Sequence, residues 1–228
     1  KSYKFFLKAK WKVNIVYSSR YKKKLNKYKL FFFNLFFDKN YLNQRNNLKN
    51  LTHQTLFMNK VLEFEGISLS GQPKEIFLNL KNKLKFDYLI HLSNRWINSE
   101  YFGSDLISLI EGISKKSDKI SFSTDLILSN EMKKVIDMII SNSNYTLNLK
   151  PKFENWINLI DQSKFIITPE CGCTHICGLL NKKALIIYDR NNKVDYIKKE
   201  YHPYLSKKVI QINSEIGETL NKKILSYI

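Results

Sequence analysis

Phe165-Ile-Ile-Thr-Pro-Glu-Cys-Gly-Cys-Thr-His-Ile-Cys-Gly-Leu-Leu180 is the stretch whose reading decides the fold. The apolar run Phe165–Thr168 has the composition of a buried strand and stops at Pro169. Glu170-Cys171-Gly172-Cys173-Thr174-His175 is a small-residue turn, followed by a short apolar helix. A second buried strand, Ala184–Tyr188, comes next. Strand, tight turn, helix, strand is the unit that aims backbone N–H groups at a helix N-terminus, where an anion such as a diphosphate can sit. Gly172 lets the backbone approach a ligand closely, and Glu170 or His175 can orient a sugar or phosphate group. The same letters also fit a packed corner with a hydrogen-bonded histidine.

Working outward, the chain from Phe86 alternates strands and helices. Strands are predicted at Phe86–Leu92, Lys119–Ser123, Tyr145–Leu149, Phe165–Thr168, Ala184–Tyr188 and Val209–Ile212. Helices are predicted at Ser104–Lys115 with Ser104 as N-cap, at Asn130–Ser141 with Ser129 as N-cap, at Phe153–Gln162, and from about Glu215. A polar stretch runs to Lys208. Repeated βα units predict an α/β, Rossmann-like parallel sheet of about six strands, covered on both faces. Ligands in such sheets bind beyond the carboxyl ends of the strands. His91 and Ser93, Ser123–Asp125, Glu170–His175 and Asp189 stand at those ends. Ser93 and Asn94 can donate to phosphate oxygens, and Arg95 can pair with a diphosphate. Asp125 and Glu154 are candidate acceptors for ribose or base hydroxyls.

Residues 1–68 read as a partial domain. Trp11–Tyr17 is a strand, Tyr21–Phe37 is basic and then aromatic, and Asn50–Glu65 is a helix stopped by Gly66. Residues 69–85, with Gly71 and Pro73, read as a linker, and 86–228 as the sheet domain.

The formal net charge of +18 invites a nucleic-acid reading. Of the 38 basic residues, however, only Arg20, Arg45, Arg95 and Arg190 are arginines, the preferred residue for bidentate phosphate recognition. A Lys/Asn/Ile compositional bias accounts for the charge, and no nucleic-acid partner is expected. The hydrophobic fraction of 43% fits a folded globular protein. No segment reaches the ~18 apolar residues of a membrane span. Cys171, Cys173 and Cys177 form no disulfide framework and suit a reducing compartment. With His175 they suggest a metal cluster, but on a helix these side chains fan around the axis, and structural zinc sites draw ligand pairs from separated segments. No metal is expected. A cysteine nucleophile needs a base and an orienting third group, and no third member is visible.

FDYLIHLSNRW (Phe86–Trp96) and NLKPKFENWINLIDQSKFIITPECGCTHICGLLNKKALIIYD (Asn148–Asp189) together resemble the C-terminal half of the ADP-heptose:lipopolysaccharide heptosyltransferase family. In that family a strand leads into an Asp-Ser/Thr-Gly-x-x-His-Leu-Ala-type motif, and Glu170–Cys177 falls on it: Gly172 and His175 match, Glu170 replaces Asp, Cys171 replaces Ser/Thr and Cys177 replaces Ala. Ser93-Asn94-Arg95-Trp96 falls on a phosphate-contacting Ser/Thr segment and a Lys-x-Trp-Pro-like element, with Arg95 in the Lys role, and Thr52–Ile67 resembles the family's helix ending in a Leu-Gly-Ile-like stop.

The resemblance implies a GT-B fold: two Rossmann-like domains, a nucleotide-diphosphate sugar in the C-terminal one and a glycan or glycolipid acceptor in the N-terminal one. It implies inverting, metal-independent transfer without a cofactor. The clustered cysteines fit the cytoplasm, and the Lys-rich, aromatic N-terminal segment fits peripheral docking at the inner face of an anionic membrane as well as it fits compositional bias. Ser93, Asn94, Arg95, Glu170, Cys171, Gly172, Cys173, Thr174 and His175 are then the donor-binding residues. The early Gly-Asp element that carries the family's base has no counterpart here. The catalytic base is therefore unassigned, the chain reads as a fragment or a degenerate member, and on its own it is expected to transfer sugar poorly. Glu170 is one methylene longer than Asp, a displacement of ~1 Å, which matters if the carboxylate positions substrate. The alternative from another class is a non-catalytic nucleotide-binding or membrane-associated Rossmann-like module.

Overall fold

In a computed structural model, residues 13–17, 39–43, 52–64, 66, 80, 82–190, 194–203 and 206–228 are described. They fall into two compact units. One contains Val13–Tyr17 (β1), Lys39–Asn43 (β2), Gln54–Phe64 (α1) and Asp195–Tyr201 of the helix Val194–Tyr201 (α6). The other contains the large sheet and the remaining helices.

In the first unit, β1 and β2 pair in parallel, from Val13 opposite Lys39 to Tyr17 opposite Asn43. The strand expected at Trp11–Tyr17 is present over its described residues. β2 is an addition to the sequence reading: in Lys39-Asn-Tyr-Leu-Asn43 polar residues outnumber apolar ones, so no strand pattern shows. The α1 helix ends at Gly66, whose φ of 75° is the left-handed conformation that stops a helix. The Tyr21–Phe37 reading and the greater part of the 69–85 linker lie outside the described residues.

The second unit is a six-stranded, wholly parallel sheet built from Phe86–Leu92 (β3), Ile120–Thr124 (β4), Thr146–Asn148 (β5), Ser163–Pro169 (β6), Lys183–Tyr188 (β7) and Val209–Asn213 (β8). Their order is β5-β4-β3-β6-β7-β8. Starting from β3, the chain builds outward through β4 to β5, then returns to β6 on the other side of β3 and builds to β8. This is the doubly wound Rossmann order.

Helices cover both faces. Gly103–Ser114 (α2), Asn130–Ile140 (α3) and Gly217–Leu225 (α7) cover one, through Leu106, Leu109, Ile110, Val135 and Ile224 against Ile90, Leu92, Phe122, Ile167 and Ile187. Phe153–Asp161 (α4) and Gly172–Leu179 (α5) cover the other, through Leu159, Ile160, Cys173 and Cys177 against Leu89, Ile166 and Ala184. Strand side chains alternate between faces, so His91 shares the α4/α5 face with Leu89.

Two helix readings need correction. The N-cap of α2 is Phe102 rather than Ser104, with the Phe102 N–H donating to the Asp105 carboxylate at 2.8 Å. The polar stretch before β8 contains α6, whose eight residues mix four tyrosine or aliphatic positions with four charged ones too evenly for periodicity to mark them. Ser129 caps α3 as expected, its Oγ accepting from the Met132 N–H at 3.3 Å.

Candidate functional site

The chain leaves β3 toward β4 on one side, while β6 pairs with β3 on the other. Connections therefore diverge at the carboxyl ends of β3 and β6, and the crevice there is the ligand position of open α/β sheets. The two segments singled out in the sequence, 93–96 and 170–175, border this crevice.

The first segment is a single 3-10 turn, Asn94–Trp96, and each of its residues is fixed. Ser93 is buried, and its Oγ accepts from the Arg95 N–H at 3.3 Å. Asn94 ties the turn to the β4–α3 connection, donating to the Ile127 carbonyl at 3.1 Å and accepting from the Ser129 N–H at 2.7 Å. The buried Trp96 Nε1 donates to the His91 carbonyl at 2.8 Å. Arg95, with 60% of its side chain exposed, reaches across the crevice. Its Nη1 donates to the Glu170 carbonyl at 2.8 Å and to the Glu170 carboxylate. The structure thus brings Arg95 and Glu170 together.

The second segment starts α5. Cys171 is the N-cap residue, and its N–H donates to Thr174 Oγ1 at 3.2 Å. The Thr174 N–H bonds back to the Cys171 carbonyl at 3.1 Å. Two N–H groups, those of Gly172 and Cys173, remain without a hydrogen-bond partner among the described residues, so the anion-facing set is narrower than Gly172–His175. Gly172 is exposed, and a Cβ there would meet only Trp156 Cη2, at 3.8 Å. The side chains of Cys173 and Thr174 are fully buried. Hydrogen bonding to Cys177 and burial push the Cys173 thiol well up, so it is a neutral packing group. His175 is exposed on the first turns of α5. Among the described residues, no group of three or more His, Cys, Asp or Glu side chains is arranged to hold a metal.

His91, Ser123 and Asp125 stood at strand ends in the sequence, but their joint role was not legible there. His91 is 2% exposed, with Nδ1 at 2.9 Å from Ser123 Oγ and Nε2 at 3.1 Å from Asp125 Oδ1. Its ring lies 5.3 Å from that of Trp156 on α4. Burial disfavours the charged imidazole, yet its hydrogen bonds to Asp125 and Cys171 and the attraction of their charges push its pKa up to about 9. The Asp125 carboxyl is raised by burial but more strongly lowered by His91, Ser93 and Arg95, and ends below its usual range. The site holds an imidazolium–carboxylate pair directly under the Arg95 turn.

No family model and no curated protein matches the sequence. Solved structures do match in shape. The structure of E. coli heptosyltransferase WaaC with ADP superposes with a TM-score of 0.54 at 11% identity, over 94% of this chain and 65% of that one. The fold is that of the heptosyltransferases. WaaC with ADP-2-deoxy-2-fluoro heptose gives a TM-score of 0.55 at the same identity and coverage. The family 9 glycosyl transferase of Veillonella parvula gives 0.53 at 16% identity, over 87% of this chain and 61% of that one. The sheet unit is accordingly the Rossmann-like half of a GT-B, heptosyltransferase-type fold, and the chain spans 65% of the length of the WaaC chain.

Proposed function

We propose that the chain is a heptosyltransferase-like glycosyltransferase that holds a nucleotide-diphosphate sugar between the Ser93–Trp96 turn and the N-terminus of α5. The observation that carries this reading is the convergence, at the β3/β6 divergence, of one exposed arginine and two unpaired N–H groups at a helix start. A diphosphate needs a bidentate cation and fixed donors, and both face the same crevice. In the reaction, Arg95 and the α5 N-terminus stabilise the departing nucleoside diphosphate as negative charge develops on it. Glu170 holds Arg95 in place until the diphosphate takes over its guanidinium, and His175 contributes from the exposed side of α5. Transfer is inverting and metal-independent, needs no cofactor, and goes to a glycan or glycolipid acceptor. The proposed setting is the cytoplasm, with peripheral contact to an anionic membrane. Among the described residues no helix is long and apolar enough to cross a membrane.

Isothermal calorimetry with nucleoside diphosphates tests the donor site. Arg95→Ala and His175→Ala are each expected to weaken binding, Arg95→Ala by at least tenfold, as loss of a charge-assisted pair predicts. Unchanged affinity in both variants removes the donor site as drawn.

A further inference from the structure

Two carboxylates lie at the rim of a crevice proposed to receive an anion. Glu170 is paired with Arg95. Asp125, with 41% of its side chain exposed, stands on the other side, where its negative charge would repel a diphosphate. Its partner is not a surface cation but a histidine buried beneath it.

We propose that His91 is a positioning residue that draws the Asp125 carboxylate inward and neutralises it, so that Asp125 adds no net repulsion toward a diphosphate in the crevice. The role rests on the donor-site reading above. The geometry is specific: Nε2 donates to Asp125 Oδ1 and Nδ1 donates to Ser123 Oγ, so the ring is fixed at both nitrogens. The groups facing His91 come from each element packed on it. They are Ser123 from β4, Asp125 from the β4–α3 connection, Cys171 from the β6–α5 turn and the uncharged Trp156 from α4, with Arg95 acting on Asp125 from above. Only His91 and Arg95 in this set are cationic, and Arg95 is engaged by Glu170. Removing the His91 charge therefore leaves two carboxylates against one cation at the crevice.

The test uses inorganic pyrophosphate, which has no ribose to bind Asp125, with four proteins: wild type, His91→Asn, Asp125→Asn and the double variant. At neutral pH, His91→Asn is expected to bind about tenfold more weakly, the scale of one nearby charge at intermediate dielectric. Asp125→Asn should bind at least as tightly as wild type. The double variant should return to within about threefold of wild type, because the carboxylate that needed masking is gone. Wild-type affinity should fall as pH rises through the titration of His91, whose pKa is about 9, and Asp125→Asn should show no such fall. A double variant as weak as His91→Asn shows that His91 acts through packing alone and overturns the proposal, as does a His91→Asn variant with wild-type affinity. A pH step that survives in His91→Asn belongs to another group and also overturns it. If His91→Asn does not fold, the Asp125→Asn comparison still decides, since that side chain is partly exposed. Wild-type protein that binds neither pyrophosphate nor any nucleoside diphosphate overturns the donor-site reading itself. That result is distinct from a wild type that binds while the variants fail to show the rescue.

Discussion

Burial takes water from the His91 imidazole, but Asp125 and Cys171 outweigh that loss and move its pKa from 6.5 to about 9. A folded-state pKa above the unfolded value means that stability is linked to protonation. The contribution is fully present below pH 6.5 and disappears as pH rises through about 9. At 1.36 kcal/mol per pKa unit it amounts to about 3 kcal/mol. Urea titrations at pH 6 and pH 10 check this: wild type is expected to lose about 3 kcal/mol more than His91→Asn over that interval. Equal losses in the two proteins would sink the linkage. Nothing local in the sequence marks this pair, because His91 and Asp125 lie 34 positions apart. They meet only because β3 and β4 are neighbours, with His91 opposite Ser123 in register.

Among the elements, α5 is the one whose placement matters most to the site, and it is held by close packing rather than by length. Eight residues give a helix little intrinsic stability. Cys173 and Cys177 seat it on Leu89, Ile166 and Ala184. Asn181, at φ 50°, then turns the chain out of the helix, with the Lys182 N–H bonded to the Cys177 carbonyl at 2.9 Å. On its other side Gly178 lies against Pro203: an added Cβ would come 2.7 Å from the Pro203 Cβ, and a proline ring cannot swing aside. Gly178→Ala is therefore expected to destabilise the protein by about 1–3 kcal/mol. It should also weaken nucleoside diphosphate binding by shifting the helix start, measurable by thermal unfolding and calorimetry on the same variant. Wild-type stability in Gly178→Ala would show that this contact yields freely. The element order of the sheet domain was readable because each helix and strand carries its own period of apolar residues. β2 and α6 were not readable: β2 is short with more polar than apolar residues, and α6 is short with charged and apolar residues in equal number and no clear period.

For the molecule as a whole, the +18 charge is the term that acts at long range. Part of it serves the fold. Parallel βα units place helix C-termini at the amino edge of the sheet, where their carbonyls attract cations. Lys182 Nζ donates to the Asp161 carbonyl at the end of α4, at 2.7 Å, and Lys116 Nζ to the Leu225 carbonyl at the end of α7, at 3.0 Å. The same edge carries a cleft of about 620 Å³ lined by Lys164, Lys182, Lys183, Lys207 and Lys208. Each lysine near an anionic lipid surface is worth about 1 kcal/mol, screened within a Debye length. Co-sedimentation with vesicles should accordingly show binding to anionic but not to neutral lipid, with most of it lost between about 50 mM and 500 mM salt. Equal retention on both vesicle types would remove the membrane contact from the proposed function.

By itself the sequence determined which segments are strands and helices in the sheet unit, that the strands are buried on both faces, and that Ser93–Trp96 and Glu170–His175 follow strand ends. Those properties are local, since apolar periodicity and turn residues act over a few positions. The tertiary structure decided the strand order that sets β3 beside β6, and with it the meeting of Arg95 with Glu170 and of His91 with Asp125. It also decided which letters of the motif face the crevice. Cys173 and Thr174 belong to the same turn as Gly172, yet both are buried, Cys173 in the core under α5 and Thr174 bonded back to the Cys171 N–H. Such pairings depend on which strands hydrogen-bond to each other, a non-local choice made by packing two helical layers onto one sheet.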